Sequence, residues 1–128
     1  MRLVTAEETC CTPPEGVEVV TLPAPDGRFE PHDVLDALAA RGMRRILIEG
    51  GADTVSRFLG AGCLDRLHVM VAPIILGSGR AGLVLPPIAR ADQALRPPMR
   101  TFQLGDDILF DCDLSAQRLA AGRAKIST

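Results

Sequence analysis

The pattern of hydrophobic residues changes from strand-like to helix-like near the middle of the chain. Residues 44–48 end in a short apolar run, which is typical of a strand buried on both faces. Downstream, apolar side chains recur at helical spacing, which predicts a helix over residues 53–60. Glu49, Gly50 and Gly51 lie between the two. The sequence therefore predicts a strand, a glycine turn and a helix in immediate succession.

Upstream of this turn, the pattern predicts a helix with one apolar face. Pro31 stands at its first position and Gly42 at its C-terminal cap, so the helix is predicted over residues 31–41. A strand is predicted on each side of it, around 17–21 and over 44–48. This strand–helix–strand order is typical of a βαβ unit with a right-handed crossover.

The remaining strands complete the predicted sheet. They are expected over residues 2–5, 64–73, 99–104 and 108–114, the last two joined as a hairpin. We expect the strands around 17–21, 44–48 and 64–73 to be neighbours, and residues 83–98 to be irregular. The predicted fold class is therefore α/β, with a mixed, mostly parallel sheet and flanking helices.

Length and composition are those of one ordinary globular domain. The chain has 128 residues, of which 47% are hydrophobic and 23% are charged. Its net charge is −2 and its basic residues are scattered, so we expect no nucleic-acid partner. No apolar run approaches the roughly 20 residues that span a bilayer, and the N-terminus lacks the apolar region of a signal peptide. We therefore expect a cytoplasmic protein with no membrane partner.

The four cysteines favour neither a metal site nor a disulfide framework. Cys10 and Cys11 are adjacent, whereas Cys63 and Cys112 lie far apart, and no C-x-x-C spacing occurs. Cys112 alternates with two charged residues along its predicted strand, so we expect it to face the core. The two histidines are isolated, and we expect structural roles for both. The sequence thus predicts no metal site.

Chemistry is expected at the glycine turn. Two glycines let the backbone adopt torsions closed to other residues, and they remove the Cβ atoms that keep a ligand away. The first N–H groups of the following helix favour an anion such as phosphate. One hypothesis is that a phosphate-bearing ligand lies over Gly50 and Gly51, with Glu49 facing whatever lies beside it. The alternative is a plain tight connection, because a glycine pair alone is a weak motif.

Several ordered motifs give the chain a resemblance to a known family. They are Ile46-Leu-Ile-Glu-Gly-Gly51, the segments 58–67 and 72–77, and the closing segment 102–113. Together they cover roughly residues 34–114, and in this order they resemble the C-terminal reductase domain of the bacterial bifunctional riboflavin biosynthesis deaminase-reductase. That resemblance implies a dihydrofolate reductase-like fold.

The resemblance also implies an activity and a cofactor. The family reduces the ribosylamino sugar of 5-amino-6-(5-phosphoribosylamino)uracil, a pyrimidine ribosylamine, with hydride from NADPH. By resemblance, the NADPH phosphates are held by Gly50, Gly51, Ala52, Asp53, Thr54, Val55 and Ser56. Glu49 is expected to bind the substrate's sugar, and no residue is assigned a catalytic role. The zinc ligands of the family's deaminase half do not occur in this sequence, so deamination is not expected.

The chain also departs from the family pattern. Residues 1–114 are expected to form an incomplete reductase-like domain that lacks the family's N-terminal region, and residues 115–128 a C-terminal tail. Because an unpaired strand edge tends to pair with another chain, we expect a homo-oligomer, most simply a two-fold dimer. Two hypotheses stay open: an NADPH-dependent reductase, and a non-catalytic nucleotide-binding or assembly module derived from one.

Overall fold

The chain divides into two compact units. A computed structural model describes residues 2–6 and 12–117. The first unit comprises Met1–Leu47 and the second Ile48–Thr128. Of the C-terminal tail predicted over residues 115–128, only residues 115–117 are among the described residues.

The first unit contains a pair of parallel strands. Strand β1 (Arg2–Ala6) pairs with strand β2 (Glu18–Leu22), and Val4 lies opposite Val20. Val20 is almost completely buried, as expected of a β-branched residue in a strand that packs against other elements. The strands predicted over 2–5 and 17–21 are thus confirmed.

Helix α1 (Pro31–Ala39) follows, as predicted, and proline occupies its first turn. Its C-terminal end closes at Gly42, whose φ is +79°. The Gly42 N–H donates to the Ala39 carbonyl at 2.9 Å and the Met43 N–H donates to the Leu38 carbonyl at 3.1 Å. These two bonds form a Schellman motif, which satisfies carbonyls that the helix end leaves unpaired.

The strand predicted over 44–48 is wrong. Residues 43–50 have no regular secondary structure, and the Leu47 side chain is 78% exposed. An apolar run becomes a strand only when a neighbouring strand takes up its backbone hydrogen bonds, and no described strand pairs with this one. Consequently the predicted βαβ unit does not form, and the strands around 17–21, 44–48 and 64–73 do not share one sheet.

The second unit joins a helix and a three-stranded antiparallel sheet. Helix α2 (Ala52–Gly60) precedes strand β3 (Arg66–Val71), and a hairpin of β4 (Met99–Leu104) and β5 (Asp107–Asp113) follows. The strand order is β3–β5–β4. The helix and the hairpin are confirmed, and β3 is shorter than the predicted strand over 64–73. The expectation of a mostly parallel sheet is wrong, because among the described strands only β1 and β2 run parallel.

The core of the second unit lies between α2 and one face of this sheet. Its most buried apolar residues are Phe58, Leu59, Cys63, Leu64, Cys112 and Leu114. Cys112 faces the core as predicted, and Cys63 and Cys112 are both free thiols. Cys10 and Cys11 lie outside the described residues.

Within the described residues, no group of side chains that could hold a metal ion occurs. No helix in that part of the chain is long and apolar enough to cross a membrane.

The connection between β3 and β4, residues 72–98, is irregular apart from a short 3₁₀ turn at Ala91–Gln93. Its side chains are mostly exposed, and the prediction of an irregular segment over 83–98 is confirmed. We refer to it below as the β3–β4 connection.

Candidate functional site

The glycine turn leads directly into α2. Gly50 has a φ of +157°, and Gly51 is the N-cap residue with φ −72° and ψ 174°. The first helical hydrogen bond runs from the Val55 N–H to the Gly51 carbonyl at 3.3 Å. No side chain caps this end, so the N–H groups of the first turn have no acceptor within the helix. Such groups form the anion-binding end of a helix.

The two glycines differ in what surrounds them. A Cβ atom at Gly50 would lie 3.2 Å from the Thr54 Cβ and 3.3 Å from the Thr54 Oγ1. A Cβ atom at Gly51 would meet nothing within 4 Å. Gly50 is therefore required by the fold, whereas the space over Gly51 is open to a ligand.

The predicted site residues lie at different depths. Exposed residues are Glu49, Gly50, Gly51, Asp53 and Thr54; half-buried residues are Ala52 and Val55. Only Ser56 is buried. The carboxylates of Glu49 and Asp53 flank the turn, and Asp53 lies in the first turn of α2, where the helix dipole favours a negative charge. Both carboxylates would repel a bound phosphate, and a cation from elsewhere in the chain would offset that repulsion.

Ser56 has a structural contact that the sequence did not predict. Its side chain is 5% exposed, and its Oγ accepts a hydrogen bond from the Val84 N–H at 2.7 Å. The hydroxyl therefore holds the β3–β4 connection against α2. The family resemblance predicted for Ser56 only a contact with the cofactor phosphates.

A charged cluster lies on the face of the sheet opposite α2. Arg66 donates from Nη1 to both carboxylate oxygens of Asp111 at 2.7 and 2.8 Å, and Arg100 donates from Nη2 to Oδ2 at 2.7 Å. The His68 Nε2 lies 3.3 Å from Oδ1. Asp111 is only 6% exposed. The Arg100 and Arg66 guanidinium groups lower the pKa of Asp111 from 3.8 to about 2, because they bind its charged form.

The cluster is balanced in charge. The second carboxylate of the group, Asp113, lies 3.9 Å from Arg66 and accepts hydrogen bonds from Ser115, which lower its pKa. Two arginines thus face two aspartates. This arrangement joins the three strands and offers no excess charge for a ligand.

A match to a known protein family covers most of the chain. A profile of the RibD C-terminal domain matches residues 1–109. The chain belongs to the RibD C-terminal domain family.

Relatives and solved structures agree with this assignment. The riboflavin biosynthesis protein RibD of Actinobacillus pleuropneumoniae is 31% identical over 101 residues, which cover 77% of this chain and 27% of that protein. The 2,5-diamino-6-ribosylamino-4(3H)-pyrimidinone 5′-phosphate reductase of Methanothermobacter thermautotrophicus is 32% identical over 88 residues, which cover 66% of this chain and 40% of that protein. The chain thus spans less than half the length of each relative.

The structure of Acinetobacter baumannii RibD, form 2, superposes with a TM-score of 0.62 at 25% identity. The match covers 86% of this chain and 36% of that one. The resemblance drawn from the sequence motifs is therefore confirmed, and with it the α/β, dihydrofolate reductase-like fold class.

Within this RibD C-terminal domain, the charged cluster was missed by the sequence analysis although a signal for it was present. The predicted hairpin turns at Gly105, and its register places Arg100 opposite Asp111. An arginine opposite an aspartate in the middle of a hairpin predicts an ion pair. Arg66 and His68 could not be added, because the pairing of β3 with β5 has no local signal.

An apolar cleft lies at the C-terminal end of α2, away from the glycine turn. It has a volume of about 610 Å³ and is lined by Leu59, Gly60, Leu67, Leu85 and Leu95 among others. Its lining is almost wholly apolar. The glycine turn, where the resemblance predicts the cofactor, lies at the other end of the helix.

Proposed function

We propose that this RibD C-terminal domain acts as an NADPH-dependent reductase of riboflavin biosynthesis. Its substrate is a pyrimidine ribosylamine 5′-phosphate, and hydride is transferred to the ribosyl carbon. Family membership supports the reaction class, and the similarity to the Methanothermobacter thermautotrophicus reductase supports the substrate class. The single observation that carries the proposal is the uncapped, open glycine turn at the N-terminus of α2.

The residues of the turn fit a dinucleotide phosphate. The open space over Gly51 lets the backbone approach a phosphate closely, and the N–H groups of Ala52 and Asp53 have no acceptor within the helix. NADPH supplies the hydride when it is bound. The turn then holds the phosphates, and the remaining proposed residues, Thr54, Val55 and Ser56, line or support the same turn of helix.

Glu49 has a separate role in the proposal. Its exposed carboxylate lies directly before the glycine pair, where it accepts a hydrogen bond from a sugar hydroxyl of the substrate. This bond orients the ribosyl group relative to the cofactor. An ionised carboxylate is a stronger acceptor than an amide, so its charge contributes to orientation.

Assembly and location complete the proposal. We place the protein in the cytoplasm as a homodimer, in keeping with a small-molecule biosynthetic enzyme family. The dimer covers apolar side chains that the second unit leaves exposed on its sheet, among them Met70, Phe102 and Leu104.

A non-catalytic nucleotide-binding module is the second candidate. It rests on the same open glycine turn, beside which no residue has been assigned a catalytic role. In this case the glycine turn binds the nucleotide, and no substrate is reduced.

Calorimetric titration of NADPH into the purified chain tests the binding proposal, with NADH as a second ligand. Gly51→Val should abolish binding, because the branched side chain fills the space that the phosphate needs. Glu49→Gln should leave NADPH affinity unchanged or raise it slightly, because it removes a charge that repels phosphate, and it should lower the rate of NADPH oxidation with substrate. If the parent protein binds no nucleotide at millimolar concentration, the turn is only a connection. If it binds NADPH but does not oxidise it in the presence of substrate, the protein is a non-catalytic nucleotide-binding module.

A further inference from the structure

Between residues 48 and 117 the second unit contains no lysine, so its basic side chains are those of six arginines and His68. Four of the six are engaged with other groups: Arg57, Arg66, Arg90 and Arg100. Arg80 and Arg96 are exposed, and within the described residues neither makes a hydrogen bond or an ion pair. Both lie on the β3–β4 connection.

The path of the connection along α2 separates these two arginines. The Val84 N–H donates to the Ser56 Oγ at 2.7 Å, and the Leu85 side chain lies 3.7 Å from the position of a Cβ built at Gly60. Gly60 is four residues after Ser56, or about 6 Å further along the helix. From Val84 to Leu85 the connection therefore advances towards the C-terminal end of α2, and a chain that runs in this direction has its preceding residues nearer the N-terminal end.

The distances allow Arg80 to reach the glycine turn. The five residues from Gly51 to Ser56 span about 7.5 Å of helix. The four residues from Arg80 to Val84 span up to about 14 Å when extended. The intervening Gly82, which has no Cβ, leaves this stretch free to turn, and the long arginine side chain adds to the reach.

Arg96 lies in the opposite direction. Its neighbours Leu95 and Pro97 line the apolar cleft together with Leu59 and Gly60, at the C-terminal end of α2. Like Arg80 it is exposed and positively charged, but it lies near the C-terminal end of α2, away from the glycine turn.

We propose that Arg80 binds the pyrophosphate of the dinucleotide, and that the Ser56–Val84 hydrogen bond positions it there. This inference rests on the proposed NADPH-binding function. Arg80 would supply a positive charge that offsets the repulsion between the phosphates and the carboxylates of Glu49 and Asp53, which flank the glycine pair. A guanidinium group binds two phosphate oxygens at once and carries a full positive charge, which the helix N–H groups do not.

Calorimetric titration of the full chain with NADPH and with NADH tests the proposal. Arg80→Gln should weaken the binding of both cofactors about ten-fold, the usual scale for a hydrogen bond to a charged group. It should also reduce the salt dependence of binding. The matched control, Arg96→Gln, should bind like the parent. Equal affinities of Arg80→Gln and the parent, or an equal loss in Arg96→Gln, would overturn the proposal, and so would a loss confined to NADPH.

The role of Ser56 is tested by a double variant. Ser56→Ala removes the acceptor of the Val84 N–H and should weaken binding by releasing the connection. Combined with Arg80→Gln, it should add little, because both changes act through one contact. Losses that multiply would contradict a positioning role. Thermal unfolding checks that each variant is folded, and if Ser56→Ala does not fold, the Arg80 and Arg96 variants decide the question.

The two proposals fail in different ways. If the parent chain binds neither cofactor, the function proposed for the glycine turn is wrong, and so is the role proposed for Arg80. If the parent binds and Arg80→Gln binds equally well, only the role of Arg80 is wrong.

Discussion

At the scale of single residues, Gly50 and Gly51 are adjacent but meet different requirements. Gly50 combines a φ of +157° with a short approach to the Thr54 side chain. Gly51 has a φ of −72°, which any residue can adopt, and open space where a Cβ would stand. In the sequence the two glycines form one motif, because an absent side chain does not reveal whether backbone strain or ligand access requires it.

The first prediction separates these two requirements in the absence of ligand. Gly50→Ala should lower the free energy of unfolding by about 1–3 kcal/mol, since it forces a side chain into a sparsely populated backbone region. Gly51→Ala should cost on the order of 0.5 kcal/mol, because alanine is a poorer N-cap residue than glycine. Urea denaturation measures both. A larger loss for Gly51→Ala than for Gly50→Ala would contradict this account.

The second prediction concerns the pH dependence of stability. The arginines lower the pKa of Asp111 from 3.8 to about 2, so folding favours its charged form. The stability that this provides is fully present above the unfolded pKa and is lost as the pH falls from about 3.8 to about 2. Asp111→Asn should destabilise the protein at neutral pH and should flatten the acid limb of the stability curve.

Urea denaturation at neutral pH and at about pH 3 measures this effect. Asp106→Asn is the matched control, since Asp106 lies exposed in the turn of the same hairpin. It should leave both values close to those of the parent. An acid limb that is unchanged in Asp111→Asn would show that another carboxylate controls acid unfolding.

At the scale of elements, both helices end in the same way. Gly62, with φ +65°, follows α2, and the Cys63 N–H donates to the Phe58 carbonyl at 2.9 Å. The corresponding bond after α1 joins Met43 to Leu38. Each glycine permits the left-handed conformation that closes its helix.

The third prediction tests one of these caps. Gly42→Ala should lower the free energy of unfolding by about 1–2 kcal/mol, because its φ of +79° is left-handed and a side chain there is strained. No atom lies within 4 Å of the added Cβ, so the loss reports backbone strain alone. Gly79→Ala is the control: it has the same open surroundings without a positive φ, and should not destabilise the protein. Equal losses in thermal unfolding would contradict the explanation.

The elements predicted correctly are those with a local signal. Pro31 and Gly42 delimit α1, and Gly105 marks the closing hairpin. The strand expected over 44–48 failed because its three apolar residues do not specify a partner, and a strand is defined by its partner. The same limitation explains the sheet, since the pairing of β3 with β5 joins residues that are far apart in the sequence.

At the scale of the whole molecule, the sheet of the second unit has two faces of different character. Leu67 and Cys112 lie opposite each other on the core face. The other face combines the Asp111 cluster with a row of apolar side chains, in which Met70 and Phe102 both lie opposite Leu109. Met70 and Phe102 are largely exposed. A sheet with exposed apolar side chains beside balanced charges is suited to a protein contact.

The last prediction is that the protein sediments as a dimer at micromolar concentration, with about twice the chain mass of 13.6 kDa. In the described structure, β3 and β4 are edge strands, and every residue of β4 is exposed. An exposed edge with apolar side chains pairs with another chain unless charge prevents it. A two-fold axis lets one surface cover its own copy.

Phe102→Lys places a charge at this edge and should shift sedimentation towards the monomer. Arg96→Lys, outside the sheet, should not shift it. A parent protein that sediments as a monomer across the micromolar range would contradict the prediction, and the exposed apolar face would then need a different partner.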